Sequence, residues 1–254
     1  MSKIKKNNVI SQANTLIEAR YSITKNEQIL LFAMISLINP KDDEFLTFSV
    51  DYKHLSEILD IDKKSALREL ELVISRLMSR VIKINTPTGW EMYQWVSRAK
   101  LKDNIISLKF HDDLKPYLLA LKTSGNFTQT RLGIAISFKS IYTIRIYQLL
   151  REYYSKNYRA FEFSLEEFRN MVLGEKSKTH PAFKNFRRHV LNVAKKELEK
   201  KDPETGFYKS DLSFDLETRR TKRKISHLKF IIKKQKIVMK KNLFLSLEDK
   251  SLAL

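Results

Sequence analysis

The phrase NIISLKF ends at Phe110, and a near copy, KISHLKF, ends 120 positions later at Phe230. Each alternates Ile, Leu and Phe with polar residues, the period of a β-strand with one face buried. Two edge strands could converge on such a phrase by chance, so the neighbouring segments decide whether the chain repeats itself. Ahead of the first copy stands a helix-period run over 22–37, opened by the capping-box signature Thr24-Lys25-Asn26-Glu27. A short alternating strand, FLTFSV, follows, and then a short helix, DYKHLSEILDI, with Leu55, Ile58 and Leu59 on one face. Next comes a long helix, KKSALRELELVISRLMSRVI, whose expected apolar stripe is Leu67, Leu70, Ile74, Leu77 and Val81. Strands joined by Pro-Thr-Gly and Lys-Asp-Asn turns lead into the phrase itself.

The second half replays this order. KSIYTIRIYQLLREYY reads as a helix, RAFEFS as a short strand, LEEFRNMVLGE as a short amphipathic helix and PAFKNFRRHVLNVAKKELEKK as a long one. Two strands about a basic turn close it, FYKSDLSFDLETRR and TKRKISHLKFIIKK. Phe48-Ser49-Val50 corresponds to Phe163-Ser164-Leu165, and Leu67, Leu70 and Ile74 correspond to Phe183, Phe186 and Val190 at one offset of 116. Helix, short strand, helix-turn-helix and terminal hairpin together describe a winged helix. The fold class expected is therefore α+β: two tandem winged-helix domains related by an internal pseudo-repeat, at 9–122 and 135–235, with a basic then apolar tail over 236–254. The competing reading is a generic α+β domain built of ordinary amphipathic pieces.

Charge says what such domains would meet. Lys plus Arg, 48, exceeds Asp plus Glu, 29, by 19, and that excess attracts a polyanion. No stretch is apolar for the roughly 18–20 residues that a membrane span needs, and MSKIKKNNVISQ lacks a signal-peptide core. A cytoplasmic protein in contact with nucleic acid, without membrane, is expected. With no cysteine there is neither a disulfide framework nor a thiolate nucleophile.

Catalytic signatures are scarce. Gly174-Glu175-Lys176-Ser177 has no upstream glycine cradle and reads as a turn before a helix rather than a phosphate loop. His54, His111, His180, His189 and His227 are scattered, without the paired spacing of a metal site, so no metal, cofactor or enzymatic activity is expected. A strand-nicking enzyme would need such a pair beside a nucleophilic tyrosine; Tyr153 and Tyr154, at the end of a helix, are read as packing.

The basic residues are more telling. In the second long helix Lys184, Asn185, Arg187, Arg188, Asn192, Lys195 and Lys196 lie largely off the Phe183, Phe186, Val190, Ala194 face, and no acid precedes Glu197. Arg and Asn on a helix can meet phosphates and hydrogen-bond guanine or adenine edges. The first long helix offers Lys64, Ser65 and Arg68 but carries Glu69 and Glu71, which repel phosphates if they face outward. Between positions 219 and 241 there are eleven Lys or Arg and no acid, with Arg219, Arg220, Lys222, Arg223 and Lys224 crowded at the hairpin turn. That cluster suits phosphate or minor-groove contact with a steep dependence on salt.

At these residues the chain resembles iteron-binding plasmid replication initiators, the RepE-like initiator Rep proteins with two winged helices. The resemblance rests on ANTLIEARYSITKNEQILLFAMISLI, YTIRIYQLLREY, FSLEEFRNMVLG, and FKNFRRHVLNVAKKELEK followed by RKISHLKFII, and runs from about position 9 to 232. It implies binding of double-stranded DNA at directly repeated origin sequences as a monomer, opening of the duplex with host replication proteins, and autorepression as a dimer on an inverted repeat. It also implies that the C-terminal winged helix makes the main contact, through the helix holding Lys184, Arg187 and Arg188. The N-terminal one would contribute dimerisation and a second DNA contact around Lys64, Ser65 and Arg68. The wing turn reads Thr-Lys-Arg-Lys where many relatives place a glycine. The tail NLFLSLEDKSLAL is apolar at intervals, as a docking segment for a host protein or a frayed terminus would be. A transcriptional repressor of the same architecture shares every one of these residues, and a nucleoid protein would share the charge but bind all sequences alike.

Overall fold

The computed structural model describes residues 4–39, 42, 44–119, 121, 125–175 and 177–237. The expectations for the tail beyond Ile237 lie outside the described residues. The chain enters through β1 (Val9–Ala13) and a single turn, α1 (Asn14–Ile17). A first unit follows: α2 (Lys25–Ile35), β2 (Phe48–Asp51), α3 (Tyr52–Leu59), α4 (Ala66–Ser79), β3 (Val81–Thr86), β4 (Gly89–Gln94), β5 (Val96–Lys102) and β6 (Ile105–Phe110). After α5 (Lys115–Leu118), β7 (Phe127–Arg131) and α6 (Leu132–Ala135), the order returns as α7 (Ile141–Ser155), β8 (Ala160–Ser164) and α8 (Leu165–Leu173). The second long helix, α9, begins as α-helix over Phe183–Phe186, widens to a π-helical turn over Arg187–Leu191 and resumes over Asn192–Leu198. The hairpin of β9 (Leu212–Thr221) and β10 (Lys224–Lys234) closes the unit.

The repeated phrase occupies the same place twice. In each unit the last strand to be made is the central one, giving antiparallel sheets ordered β2-β6-β5 and β8-β10-β9. Leu108 of β6 lies opposite Phe48, and Leu228 of β10 lies opposite Phe163. The edge-strand explanation therefore falls: a central strand must bury alternate residues, and the phrase supplies Leu108 and Phe110 from one copy and Leu228 and Phe230 from the other to the core. Phe230 stacks on Phe161 at 5.1 Å and meets Phe168 at 4.6 Å and Phe214 at 5.1 Å, so one strand residue pins helix and hairpin together.

Local chemistry sets the helix ends. The capping box forms as read: the Glu27 amide donates to Thr24 Oγ1 at 3.3 Å and the Thr24 amide to Glu27 Oε2 at 2.8 Å. Asp51 caps α3 by accepting from the Lys53 and His54 amides, and Ser164 caps α8 by accepting from the Glu167 amide. The stripe expected on α4 is rotated. Leu67 is 42% exposed and Val81 49% exposed, and the buried residues are Ala66, Leu70, Val73 and Leu77. Ala66 and Val73 complete a narrower face that needs no leucine at 67. The β3–β4 hairpin belongs to the first unit alone and stands apart as its own two-stranded sheet.

Two devices hold the units together. β1 pairs antiparallel with β7, clasping the N-terminal strand to the segment just ahead of α7. The second device is Arg145 of α7, 1% exposed. Its Nη2 donates to the carbonyls of Ile17 and Ala19 at 2.9 Å and of Met171 at 3.0 Å, and its Nε reaches the same Met171 carbonyl. Its Nη1 donates to the Tyr21 hydroxyl and Gln148, and the guanidinium lies over the Tyr21 ring at 4.1 Å. Nearby, Gly174 adopts φ +89° where a Cβ would come within 2.8 Å of the Ser22 Cβ, so only glycine lets the end of α8 close on this linker. Beside it, the Glu175 carboxylate binds Lys83 of β3 at 3.1 Å and Arg20 at 3.5 Å.

Glu152 of α7 is wholly buried and keeps Oε1 2.7 Å from Lys156 Nζ, while Oε2 has no partner among the described residues. Burial, and then the neighbouring Glu18 carboxyl, push the Glu152 carboxyl up to about 8 against the pull of Lys156. A raised carboxyl value means that the folded chain holds this proton more tightly than the unfolded chain. Its stabilising contribution is complete below the ordinary value near 4.5 and is lost as pH rises towards 8. The melting temperature should therefore fall by roughly 8–15 °C between pH 5 and pH 8.5. Glu152→Gln should remove most of that fall; thermal melts of the two proteins with identical pH dependence would refute the assignment.

Candidate nucleic-acid interface

α9 turns its charge to solvent. Phe186, Val190, Ala194 and Leu198 recur every fourth residue and are buried, a spacing that suits the wider π turn, where Val190 and Leu191 both reach the core. On the other side Lys184, Asn185, Arg187, Arg188, Asn192 and Lys196 are exposed. Among the described residues none of their side chains has an ion pair or hydrogen bond within the protein, so all are open to solvent. Arg169 braces the start of the helix, donating to the carbonyls of Thr179 and His180 and lying over the Phe186 ring at 4.9 Å.

Lys195 differs from this group. It is half-buried, 2.7 Å from Asp215 and 3.9 Å from Glu199, and its hydrogen bond holds the Asp215 carboxyl below the usual carboxylate range. Lys195 thus ties α9 to β9 inside the protein.

The wing carries Arg219, Arg220, Lys222, Arg223 and Lys224 at its tip, all exposed. Arg219 is engaged across the sheet, with Nη2 2.8 Å and Nε 3.0 Å from Glu162 Oε1. At such an exposed pair the coupling is worth about 0–1 kcal/mol, so a phosphate can displace Glu162. Thr221 pairs with Lys224 across a two-residue turn, and Lys222 takes φ +57°. A lysine thus occupies the left-handed region at this turn, at a cost of about 1 kcal/mol. In the first wing the corresponding turn is Asp103-Asn104, with φ of 49° and 66°, the chemistry a two-residue hairpin turn prefers.

The first long helix is less suited to a polyanion. Lys64 is exposed and Ser65 half-buried at the start of α4, with Ser65 Oγ 3.5 Å from the Asp62 carbonyl. Arg68 is exposed but pairs with Glu69 at 3.2 Å, and Glu71 is exposed among these cations. Reading the sequence missed Arg98, Lys100 and Lys102, which lie along β5 of the first wing and are all exposed. Their spacing of two in VSRAKLK, one face of a strand, was the available signal.

Other candidates settle into structural roles. Tyr153 stacks on Phe161 at 4.3 Å, and burial, then Glu18, raise its hydroxyl well above the ordinary tyrosine value, the opposite of what a nucleophile needs. The rings of His180 and His189 stack at 4.9 Å rather than converging on a point. Among the described residues no group of three His, Asp or Glu is placed to hold a metal, and no helix is long and apolar enough to cross a membrane.

Two family models match the chain, "Initiator Replication protein, WH1" over residues 9–151 and "Initiator Rep protein, WH2" over residues 164–232. The chain belongs to the initiator Rep family. A replication initiation protein of Escherichia coli is 31% identical over 199 residues, 75% of this chain and 61% of that protein. The PI protein of the same organism is 32% identical over 151 residues, 54% of this chain and 46% of that protein. The matched region thus spans about three fifths and just under half of these two relatives. In fold, the Pi initiator protein, solved in complex with iteron DNA, matches with a TM-score of 0.66 at 21% identity, covering 90% of this chain and 98% of that one. Domains 2 and 3 of RctB match with a TM-score of 0.51 at 12% identity, covering 84% and 83%.

The strained turn gives a test of the wing of this initiator Rep protein. Lys222→Gly should raise stability by about 1 kcal/mol, relieving the left-handed lysine. The same change should lower the slope of log affinity against log salt by about 0.9, the value for a single phosphate that is no longer neutralised. Chemical denaturation and binding titrations at several salt concentrations measure both; an unchanged salt slope would take Lys222 out of the interface.

Proposed function

We propose that this protein initiates plasmid replication by binding repeated origin sequences, iterons, through both winged helices. Host replication proteins then open the adjacent duplex. The observation that carries this reading is the exposed face of α9, with Lys184, Asn185, Arg187, Arg188 and Asn192 free of internal partners and of acid, next to a basic wing. Such a face can place Arg and Asn against base edges while the wing holds the backbone, so specificity and affinity come from one unit. The first unit, with Lys64, Ser65 and Arg68 interspersed with Glu69 and Glu71, supplies a second and weaker contact. The solved complex of the related Pi initiator with iteron DNA supports the same partner for this chain. No reaction is assigned to the protein: binding energy from two units, spent in part on deforming the duplex, favours opening.

The β3–β4 hairpin supports self-association and, with it, autorepression on an inverted repeat. Trp90 is 59% exposed and Met92 50% exposed on one face of the outer strand, with exposed Val81 beside them on β3. Apolar side chains on an open strand edge are what a second copy would cover.

Footprinting on the DNA flanking the coding sequence, with scrambled competitor, tests the proposal. Regularly spaced protection on direct repeats is expected. Arg187→Ala with Arg188→Ala should abolish it, while Lys64→Ala with Arg68→Ala should weaken it by about tenfold or less. Protection of an inverted repeat should be lost in Trp90→Lys with Met92→Lys, leaving the direct repeats occupied. A lone palindrome bound without direct repeats would favour a repressor, and uniform salt-sensitive coating a nucleoid protein.

A further inference from the structure

The connecting strands β1 and β7 meet the second unit around a cavity of about 680 Å³, at the end of the β9–β10 hairpin remote from its basic turn. Its wall carries Arg131, Arg151, Lys234 and Lys236 against one carboxylate, Asp211. That carboxylate is already committed: it accepts from the Tyr147 hydroxyl at 2.7 Å and from Arg151 Nη1 at 2.9 Å. Arg151 also donates from Nε to the Gln129 carbonyl at 3.1 Å, which leaves its Nη2 without a hydrogen-bond partner among the described residues. Even with Arg131 set aside, Arg151, Lys234 and Lys236 outnumber the acid of the wall, so the cavity is net positive.

Aromatic surface stands beside the cations. Tyr154 is half-buried and the Phe207 ring is exposed, and both line the cavity. A volume of this size, at a junction between structural units, is typical of small-ligand sites. Arg and Lys bind phosphate through charge-assisted hydrogen bonds, and an aromatic face stacks a nucleobase whatever its identity. From these features we propose that the cavity is a binding site for a nucleoside phosphate, the phosphates held by Arg151, Lys234 and Lys236 and the base by Phe207 and Tyr154. The site goes beyond the DNA-binding reading and does not depend on it. Leu212 and Lys234 pair at one end of the hairpin and Thr221 and Lys224 at the other. The length of strand that separates them is about 30 Å, so ligand and DNA can be held together. By bridging Arg151 and Tyr154 of α7 to Lys234 of β10, the ligand would stiffen the second unit where it meets β7.

Isothermal titration of ATP and GTP into the full chain at moderate salt, with inorganic pyrophosphate as the charge-only probe, tests this. Saturable one-to-one binding of the nucleotides is expected, at least about tenfold tighter than pyrophosphate, since stacking contributes about 1–3 kcal/mol. Lys234→Glu with Lys236→Glu should weaken nucleotide binding at least about tenfold, and Phe207→Ala should erase most of the preference over pyrophosphate. Arg223→Ala with Lys224→Ala at the wing should leave it unchanged, and added duplex DNA should not displace it. Absent or unsaturable binding, equal affinity for pyrophosphate, or loss of binding in the wing variant would each overturn the proposal.

Discussion

A single buried guanidinium organises this molecule. Burying an arginine costs several kcal/mol unless its donors are all met. Arg145 has no carboxylate among its hydrogen-bond partners; backbone carbonyls at Ile17, Ala19 and Met171, the Tyr21 hydroxyl and the Gln148 amide oxygen accept instead. Those acceptors come from the linker ahead of α2, from α7 itself and from the end of α8. The side chain can be satisfied only if all three converge, so its burial makes their convergence cooperative. Gly174 and the Glu175 pairs with Lys83 and Arg20 then fix the same joint from its edge. Removing any one acceptor leaves a buried charge short of a bond, so partial opening of the joint is costly.

With the joint fixed, the distribution of charge decides what the two units do. The net charge of +19 is not evenly useful. Acids neutralise Lys195, Arg219 and Arg68, through Asp215, Glu162 and Glu69 respectively. Among the described residues the outer face of α9 and the turn at Lys222-Arg223 have no such partners, and there the cations stay exposed. Two units built on one plan thus carry different weight: the second offers a helix without acid from Lys184 to Lys196 and a basic wing turn, while the first has a mixed helix and an additional hairpin with apolar surface.

The repeat could be read from sequence because β10 and β6 are central strands. A central strand must bury alternate residues, so its pattern is stringent enough to survive in both halves. The exposed residues of α9 were equally legible, since a run of Lys, Arg and Asn without acid has few buried solutions. Partnerships across distance were not legible: Glu162 and Asp215 lie 57 and 20 positions from the cations they bind, and nothing local announces them. The rotation of α4 was missed because Ala66 looks neutral beside Leu67, yet the narrower residue is the one that fits the core. Arg145 and Glu152 were not singled out within the helix read over this segment, because a buried charge is recognised only when its partners are brought to it by the fold. The π turn leaves only the faint trace of apolar residues at every fourth position.

The account rests on the two winged helices being held in one arrangement by the Arg145 joint. Because the chain has no cysteine, spin labels at Lys64→Cys and Lys184→Cys report on the two long helices α4 and α9 without background. Double electron–electron resonance should give one narrow distance distribution in the free protein, and Arg145→Gln should broaden it while far-UV circular dichroism shows both units folded. A broad distribution with Arg145 in place, or a narrow one that survives its replacement, would contradict the account.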